Sequence, residues 1–260
     1  MMQNGSQKQR AVILLAAGQG SRLRPLTETC PKSLLKMGQK TVLETILDSV
    51  LETGPREIVV VTGFESEQMS EFVAARYRGK DVRTIENVDY LSDTNILSAQ
   101  VGVSALSTPE NGYFLIETDI ITTPDVWKSI IAQEARLGSF WVTRGVYGAD
   151  LTGGIVQVDG TGMVTDIRYE PLYDPRFDGW PKMLGVLSVG PDEVAADIET
   201  RLLVSEQSTF NYYMVPWITY SERLPCRIFD LKDHFAMSFN TMDDYQAAQI
   251  AFASQQRGST

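Results

Sequence analysis

The sequence predicts an α/β fold, a mostly parallel central sheet with helices on both faces, extended by a small hairpin-containing part. Three observations predict it. Continuous apolar runs of strand length recur, as in strands buried on both faces. They alternate with segments of helical period, the order that produces right-handed crossovers and a parallel sheet. After about residue 143 the alternation gives way to a hairpin pattern.

The elements follow in order. Ala11-Val12-Ile13-Leu14-Leu15 is a buried strand that runs into a glycine loop. Thr41 to Glu52 places Val42, Leu43, Ile46, Leu47, Val50 and Leu51 on one helical face, and Gly54-Pro55 ends it. Glu57 to Thr62 is a strand, Ser66 to Tyr77 a helix and Val82 to Glu86 a strand. Asn95 to Leu106 reads as a helix and Tyr113 to Glu117 as a strand. Pro124 to Leu137 is a helix with Thr123 as its N-cap and Pro at its first position. Phe140 to Thr143 is a strand. Ile155 to Val158 and Met163 to Tyr169 flank a turn at Asp159-Gly160-Thr161-Gly162. Met183 to Val189 is a further strand, Pro191 to Leu203 and Ser208 to Ile218 are helices, Arg227 to Asp230 is a short strand, and Asp243 to Ser254 closes the chain. With no repeat, linker or low-complexity tract, residues 1–260 read as one domain: a nucleotide-binding half over 11–145 and an acceptor-binding half with a closing helix over 146–260.

Composition narrows the function. The formal net charge of -10 disfavours a nucleic-acid partner, and an acidic surface repels a polyphosphate at long range. Phosphate binding must rest on a few local cations and a metal. No apolar run approaches the roughly 18 residues of a membrane span. The polar start, Met1 to Arg10, lacks the apolar region of a secretory signal and reads as a frayed leader. Cys30 and Cys226 are the two cysteines, in no metal-like spacing. They read as reduced thiols of a cytoplasmic protein. Oligomeric state is not legible.

The glycine loop carries the chemistry. After the first strand come Gly18-Gln19-Gly20-Ser21-Arg22-Leu23-Arg24-Pro25, then Pro31-Lys32-Ser33. Such a loop lies at the C-terminal edge of a parallel sheet, where ligands bind. Gly18 and Gly20 let the backbone approach a phosphate. A dinucleotide fingerprint needs a small residue where Leu23 stands, and a P-loop needs Gly-Lys-Ser/Thr where the chain has Leu23-Arg24-Pro25. What remains is Gly-x-Gly-x-Arg followed by Pro-Lys. Arg22 can grip phosphate oxygens bidentately, and Lys32 adds a mobile point charge. Further on, Leu115-Ile116-Glu117-Thr118-Asp119 ends a strand with two carboxylates on one side.

Leu15-Ala16-Ala17-Gly18-Gln19-Gly20-Ser21-Arg22-Leu23 with Pro31-Lys32 resembles the N-terminal motif of the nucleotidyltransferases that make nucleotide-sugars and CDP-alcohols. The resemblance runs from Ala11 to about Phe252. It implies a Rossmann-like sheet, Arg22 and Lys32 as triphosphate-binding and activating cations, and Leu15, Ala16 and Ala17 on the base side. It also implies Mg²⁺ on Asp119 and on Asn240, which stands where many relatives carry Asp. Asn240 or Thr241 can instead cap the last helix.

Glu86 to Ser98, with Asn87-x-x-Tyr90 and Asn95 before Ser98, resembles the choline-phosphate or phosphonate cytidylyltransferase branch. That implies CTP, with Asn95 and Ser98 near the nucleotide, although Thr94 or Asn95 can simply cap the next helix. For the acceptor, the resemblance implies a small phosphorylated or phosphonate compound. Lys182 stands in for the family lysine missing beside Glu170-Pro171, Arg168 is a further cation, and Tyr213 is one of several aromatic residues open to a cage or a core role. Gly153-Gly154 replaces an aromatic residue typical of the choline enzymes. His234, the single histidine, is read as structural. Two alternatives remain: a sugar-1-phosphate nucleotidyltransferase using UTP, dTTP or GTP, and a non-catalytic nucleotide sensor.

Overall fold

The computed structural model describes residues 9–232 and 234–258, so most of the leader lies outside the described residues. β1 (Ala11–Leu15) enters the glycine loop, and a short ladder of β2 (Lys36–Met37) and β3 (Lys40–Thr41) precedes α1 (Val42–Leu51). β4 (Ile58–Thr62), α2 (Ser66–Arg76), β5 (Val82–Glu86), α3 (Ile96–Ser104) and β6 (Tyr113–Glu117) continue the alternation. β7 (Ile120–Thr122), α4 (Pro124–Ile131) and α5 (Glu134–Leu137) follow. The second half holds β8 (Phe140–Val146), β9 (Gly153–Val158), β10 (Val164–Glu170), β11 (Pro181–Val189), α6 (Val194–Gln207), α7 (Val215–Thr219), β12 (Arg227–Asp230), β13 (Ala236–Ser238) and α8 (Met242–Gly258).

The central sheet has nine strands in the order β10-β9-β11-β6-β1-β4-β5, with β8 also beside β11 and β12 beside β8. β6, β1, β4 and β5 are mutually parallel. β11 joins β6 antiparallel, and β8 pairs antiparallel with β11. The Phe140 strand, grouped by sequence with the parallel series, therefore belongs to the antiparallel extension. β9 and β10 form the expected hairpin, closed by Asp159 Oδ1 accepting from the Thr161 and Met163 amides.

The all-apolar β1 is explained by two cores. Val12 and Leu14 face one side, with Ile46, Leu47, Trp127 and Ile130 of α1 and α4. Ala11, Ile13 and Leu15 face the other, with Ala99 and Val103 of α3. Period-two alternation thus buries both faces of one strand. α1 is started by a capping box: Thr41 Oγ1 accepts from the Glu44 amide at 3.1 Å, and Glu44 accepts from the Thr41 amide at 2.7 Å.

Two predicted helices differ. Pro124–Leu137 breaks after Ile131, where the Gln133 amide bonds Ile130 O in a tighter i to i+3 turn. The Ser208–Ile218 segment is irregular until Val215. Ser208 Oγ accepts from the Phe210 amide, and Asn95 Oδ1 takes the Tyr213 amide, so these N–H groups are withdrawn from a helix. No helix among the described residues is long and apolar enough to cross a membrane.

Candidate active site

Two adjoining cavities open at the C-terminal edge of the parallel strands. The first, about 330 Å³, is lined by Leu15, Ala16, Ala17, Gly18, Gly20, Arg22 and Lys32 from the loop side, and by Asn95, Ser98 and Thr118 opposite. The second, about 410 Å³, is lined by Tyr169, Lys182, Met183, Tyr212, Met214 and Asp150 among others. Arg22, Glu117, Asp119, Tyr212 and Asn240 line both.

The loop is anchored from several directions. The Ala16 amide bonds Val61 O at 2.9 Å, and Thr118 Oγ1 donates to Leu15 O at 2.9 Å. Gly20 lies in the left-handed region at φ 62°, and a Cβ there would come within 3.1 Å of Lys32 Cβ. Glycine lets the turn fold directly against the base of the Lys32 side chain. Lys32 Nζ reaches Asp119 Oδ2 at 3.1 Å and Asn240 Oδ1 at 3.0 Å, and lies 4.8 Å from the Phe239 ring centroid. Arg22 Nη2 donates to Asn240 Oδ1 at 2.9 Å. Residues from the first loop, the end of β6 and the start of α8 thus meet at one point.

Glu117, read from sequence only as one of two strand-end acids, is the link between the cavities. Its Oε1 accepts from Asn95 Nδ2 at 3.3 Å, and its carboxylate packs on Gly185, where a Cβ would come within 2.6 Å of Oε2. Desolvation at the cavity floor and the charge of Asp119 push its pKa up to about 7, against the pull of Lys32 and Lys182. Burial lowers the pKa of Lys182, while Glu117 and Asp119 counter it; its Nζ donates to Met183 O at 2.8 Å.

Asn95 and Ser98 sit in the first cavity wall with their polar groups engaged. Asn95 Oδ1 accepts from the Tyr213 amide at 2.7 Å. Ser98 Oγ donates to Asp93 at 2.7 Å and accepts from Asn87 Nδ2 at 3.0 Å. Asn95 stands at the N-cap position of α3 but makes no capping bond with its side chain; Asp93 takes the Leu97 and Ser98 amides instead, at 3.0 and 2.8 Å.

One acceptor candidate is corrected, and a second takes a different place. Arg168 lines neither cavity: it pairs with Asp166 at 2.8 Å and lies over the Phe177 ring. Both residues lie on one face of β10, so the pair is local. Tyr213 does line the second cavity, but it is 2% exposed and packs its ring on Trp141 at 5.6 Å, as part of a buried wall. The neighbouring Tyr212 carries the accessible ring, 4.5 Å from that of Tyr169 with their hydroxyls 3.1 Å apart. His234 lies in neither cavity wall; its Nδ1 is 3.4 Å from Asp125.

The metal question can be tested on the residues. Among the described residues, no group of three or more His, Cys, Asp or Glu stands ready to cage an ion. Mg²⁺, however, typically takes one or two carboxylates and completes its shell with water and phosphate. Asp119 Oδ1 is buried with no hydrogen-bond partner, and Glu117 repels it electrostatically. An unpaired carboxylate oxygen beside a second carboxylate fits such an ion.

A parallel sheet whose C-terminal edge presents a cationic loop to a strand-end carboxylate is the architecture of the NTP-transferase class. The profile of the MobA-like NTP transferase domain matches residues 12–149, and the chain belongs to that family. It is similar to the 2-aminoethylphosphonate cytidylyltransferase of Lancefieldella rimae, 33% identical over 113 residues that cover 44% of each chain. It is also similar to the choline-phosphate cytidylyltransferase of Streptococcus pneumoniae, 36% identical over 86 residues, 33% of this chain and 36% of that one. The chain thus matches less than half the length of these relatives. In fold it is similar to the solved CTP:phosphocholine cytidylyltransferase from Streptococcus pneumoniae, with TM-score 0.76 at 20% identity, covering 94% of this chain and 99% of that one.

Proposed function

We propose that this protein is a Mg²⁺-dependent cytidylyltransferase that transfers CMP from CTP to a small phosphorylated or phosphonate acceptor. The observation that carries the reading is the shared wall: the glycine-loop cavity and the aromatic, lysine-bearing cavity meet at Arg22, Glu117 and Asp119. Two substrates seated in them would meet beside Arg22, with Lys32 on the loop-cavity side, as transfer requires.

An acceptor oxygen attacks the α-phosphorus, the bond to the β-phosphate breaks, and pyrophosphate leaves. The acceptor oxygen is already anionic at neutral pH, so no histidine base is needed. Arg22 and Lys32 stabilise the charge that develops on the transferred and leaving phosphates. Magnesium, when bound, would neutralise phosphate charge, and Asp119, with its unpaired buried oxygen, would hold it. Gly18, Gly20 and the Leu15-Ala16-Ala17 segment form the nucleotide side. Tyr169 and Tyr212 offer ring faces to a cationic acceptor head, and Lys182 faces its anionic end. The names of the similar proteins support CTP and an amine-bearing acceptor. Use of a nucleoside triphosphate and two unpaired cysteines support a cytoplasmic location.

The test is pyrophosphate release with CTP, UTP, GTP, ATP or dTTP, each with phosphocholine, 2-aminoethylphosphonate or glucose 1-phosphate. Release with CTP and either nitrogen-bearing acceptor is expected. Release only with UTP or dTTP and glucose 1-phosphate would replace this reading by the sugar one, and CTP binding without turnover by the sensor one. Lys182→Met is expected to raise the acceptor KM about tenfold, the size of one charge-assisted hydrogen bond, and to leave the nucleotide KM unchanged. Equal changes in both constants would remove Lys182 from the acceptor subsite.

A further inference from the structure

Asn240 stands between the two cations of the loop cavity. Its Oδ1 accepts from Arg22 Nη2 at 2.9 Å and from Lys32 Nζ at 3.0 Å. An amide oxygen offers two lone pairs, so these two donors fill its acceptor capacity. The residue is held from behind. Asp244 Oδ2 accepts from the Asn240 amide at 3.1 Å and the Thr241 amide at 2.9 Å, and Thr241 Oγ1 accepts from the Asp244 amide at 3.2 Å. Asp244 and Thr241 thus supply the helix cap, which leaves the Asn240 side chain free to serve the cavity. Asp119 differs: Lys32 occupies one of its oxygens, and the other is buried without a partner.

The chemistry of the two groups divides the work. A carboxylate at position 240 would pair with Arg22 and Lys32 and cancel part of the charge a polyphosphate needs. A neutral amide can gather both cations without cancelling either. An oxygen already holding two donors is also a poor metal ligand, because metal binding there would cost one of those contacts.

We propose that Asn240 is a positioning residue, holding the Arg22 guanidinium and the Lys32 ammonium convergent on the polyphosphate of the incoming nucleotide, and that it is not a metal ligand. The proposal rests on reading the loop cavity as a triphosphate site. It leaves the metal to Asp119.

Calorimetry with inorganic tripolyphosphate tests it, first in EDTA and then with Mg²⁺. The probe has no base, so a wrong choice of nucleotide or acceptor leaves the test intact. Asn240→Ala is expected to weaken binding in EDTA about tenfold, as loss of a contact to charged groups does. It should keep the wild-type ratio between the affinities with and without magnesium. Asn240→Asp is expected to weaken binding in EDTA at least as much, because its charge competes with the phosphate. Asp119→Asn should change the magnesium ratio instead. Thermal unfolding establishes that each variant is folded. Equal EDTA affinities for wild type and Asn240→Ala would overturn the proposal, as would a magnesium ratio that Asn240→Ala alters in the way Asp119→Asn does. A wild-type protein that binds no tripolyphosphate would overturn the triphosphate reading and this proposal together.

Discussion

Lys32→Ala is expected to lower pyrophosphate release by on the order of 10²–10³-fold, the cost of removing one preorganised group that stabilises transition-state charge. Lys32 is suited to that role by its surroundings. Its side chain is only 16% exposed, and its ammonium lies between Asp119, Asn240 and the Phe239 ring. At that exposure solvent screens it weakly, so its charge acts at close range. Removing it also leaves Glu117 and Asp119 facing each other with less compensation, since Lys32 is one of the cations that oppose their repulsion. The loss should therefore fall on kcat more than on the acceptor KM. Lys32→Arg should recover part of the activity, limited by the different shape of the guanidinium. Near-wild-type turnover in the alanine variant would remove Lys32 from the mechanism.

Asp197→Ala is expected to destabilise the fold by about 3–5 kcal/mol, the range for breaking a buried ion pair. Asp197 is fully buried and faces Arg201, which is 1% exposed, one turn along α6. One carboxylate oxygen accepts from Arg201 and from the Tyr113 hydroxyl, and the other from Trp217 Nε1 at 2.8 Å. Burial and the neighbouring carboxylate push the Tyr113 phenol well above its ordinary pKa, which keeps it a donor. Without Asp197, the guanidinium would lose its buried counter-charge, and a hydroxyl and an indole N–H would lose the acceptor they bond here. Against a typical domain stability of about 5–15 kcal/mol, that is a large fraction. Urea unfolding should show a lower midpoint with an unchanged m-value. A loss below about 1 kcal/mol, the level of an exposed pair, would mean that water replaces the carboxylate. The network also reaches the site, because Arg201 Nη1 lies 3.5 Å from Tyr213 O, whose amide is held by Asn95.

Much of the glycine-loop cavity was legible because its residues are close in sequence and follow backbone rules. A buried strand that runs into Gly18-Gln19-Gly20 places the loop at the sheet edge, and strand alternation puts Glu117 and Asp119 on one side. The second cavity was harder to read. Tyr212 and Tyr213 both line the second cavity, and only the backbone phase decides that Tyr212 is the more exposed and Tyr213 the buried one. The segment was read as a helix, but Ser208 and Asn95 bind its amides and prevent one. Arg168 looked available because charge is visible in a sequence, whereas its pairing with Asp166 depends on rotamers. Asn95 was legible as an N-cap of α3, but the side chain that takes the first amides is Asp93, since Asp93, Thr94 and Asn95 are all residue types that can accept them.

The sequence by itself determined the fold class and singled out the glycine loop, Arg22 and Lys32, and the strand-end carboxylates Glu117 and Asp119 that line the cavities. Those follow from local periodicity, glycine geometry and the chemistry of single side chains. Only the tertiary structure decided which groups act together. The contact from Arg22 to Asn240 spans 218 residues, and that from Lys32 to Asn240 spans 208. Glu117 became the link between two cavities because β11 places Gly185 against it and Asn95 reaches it from α3. Convergence of this kind depends on how the elements pack, and no local pattern encodes it.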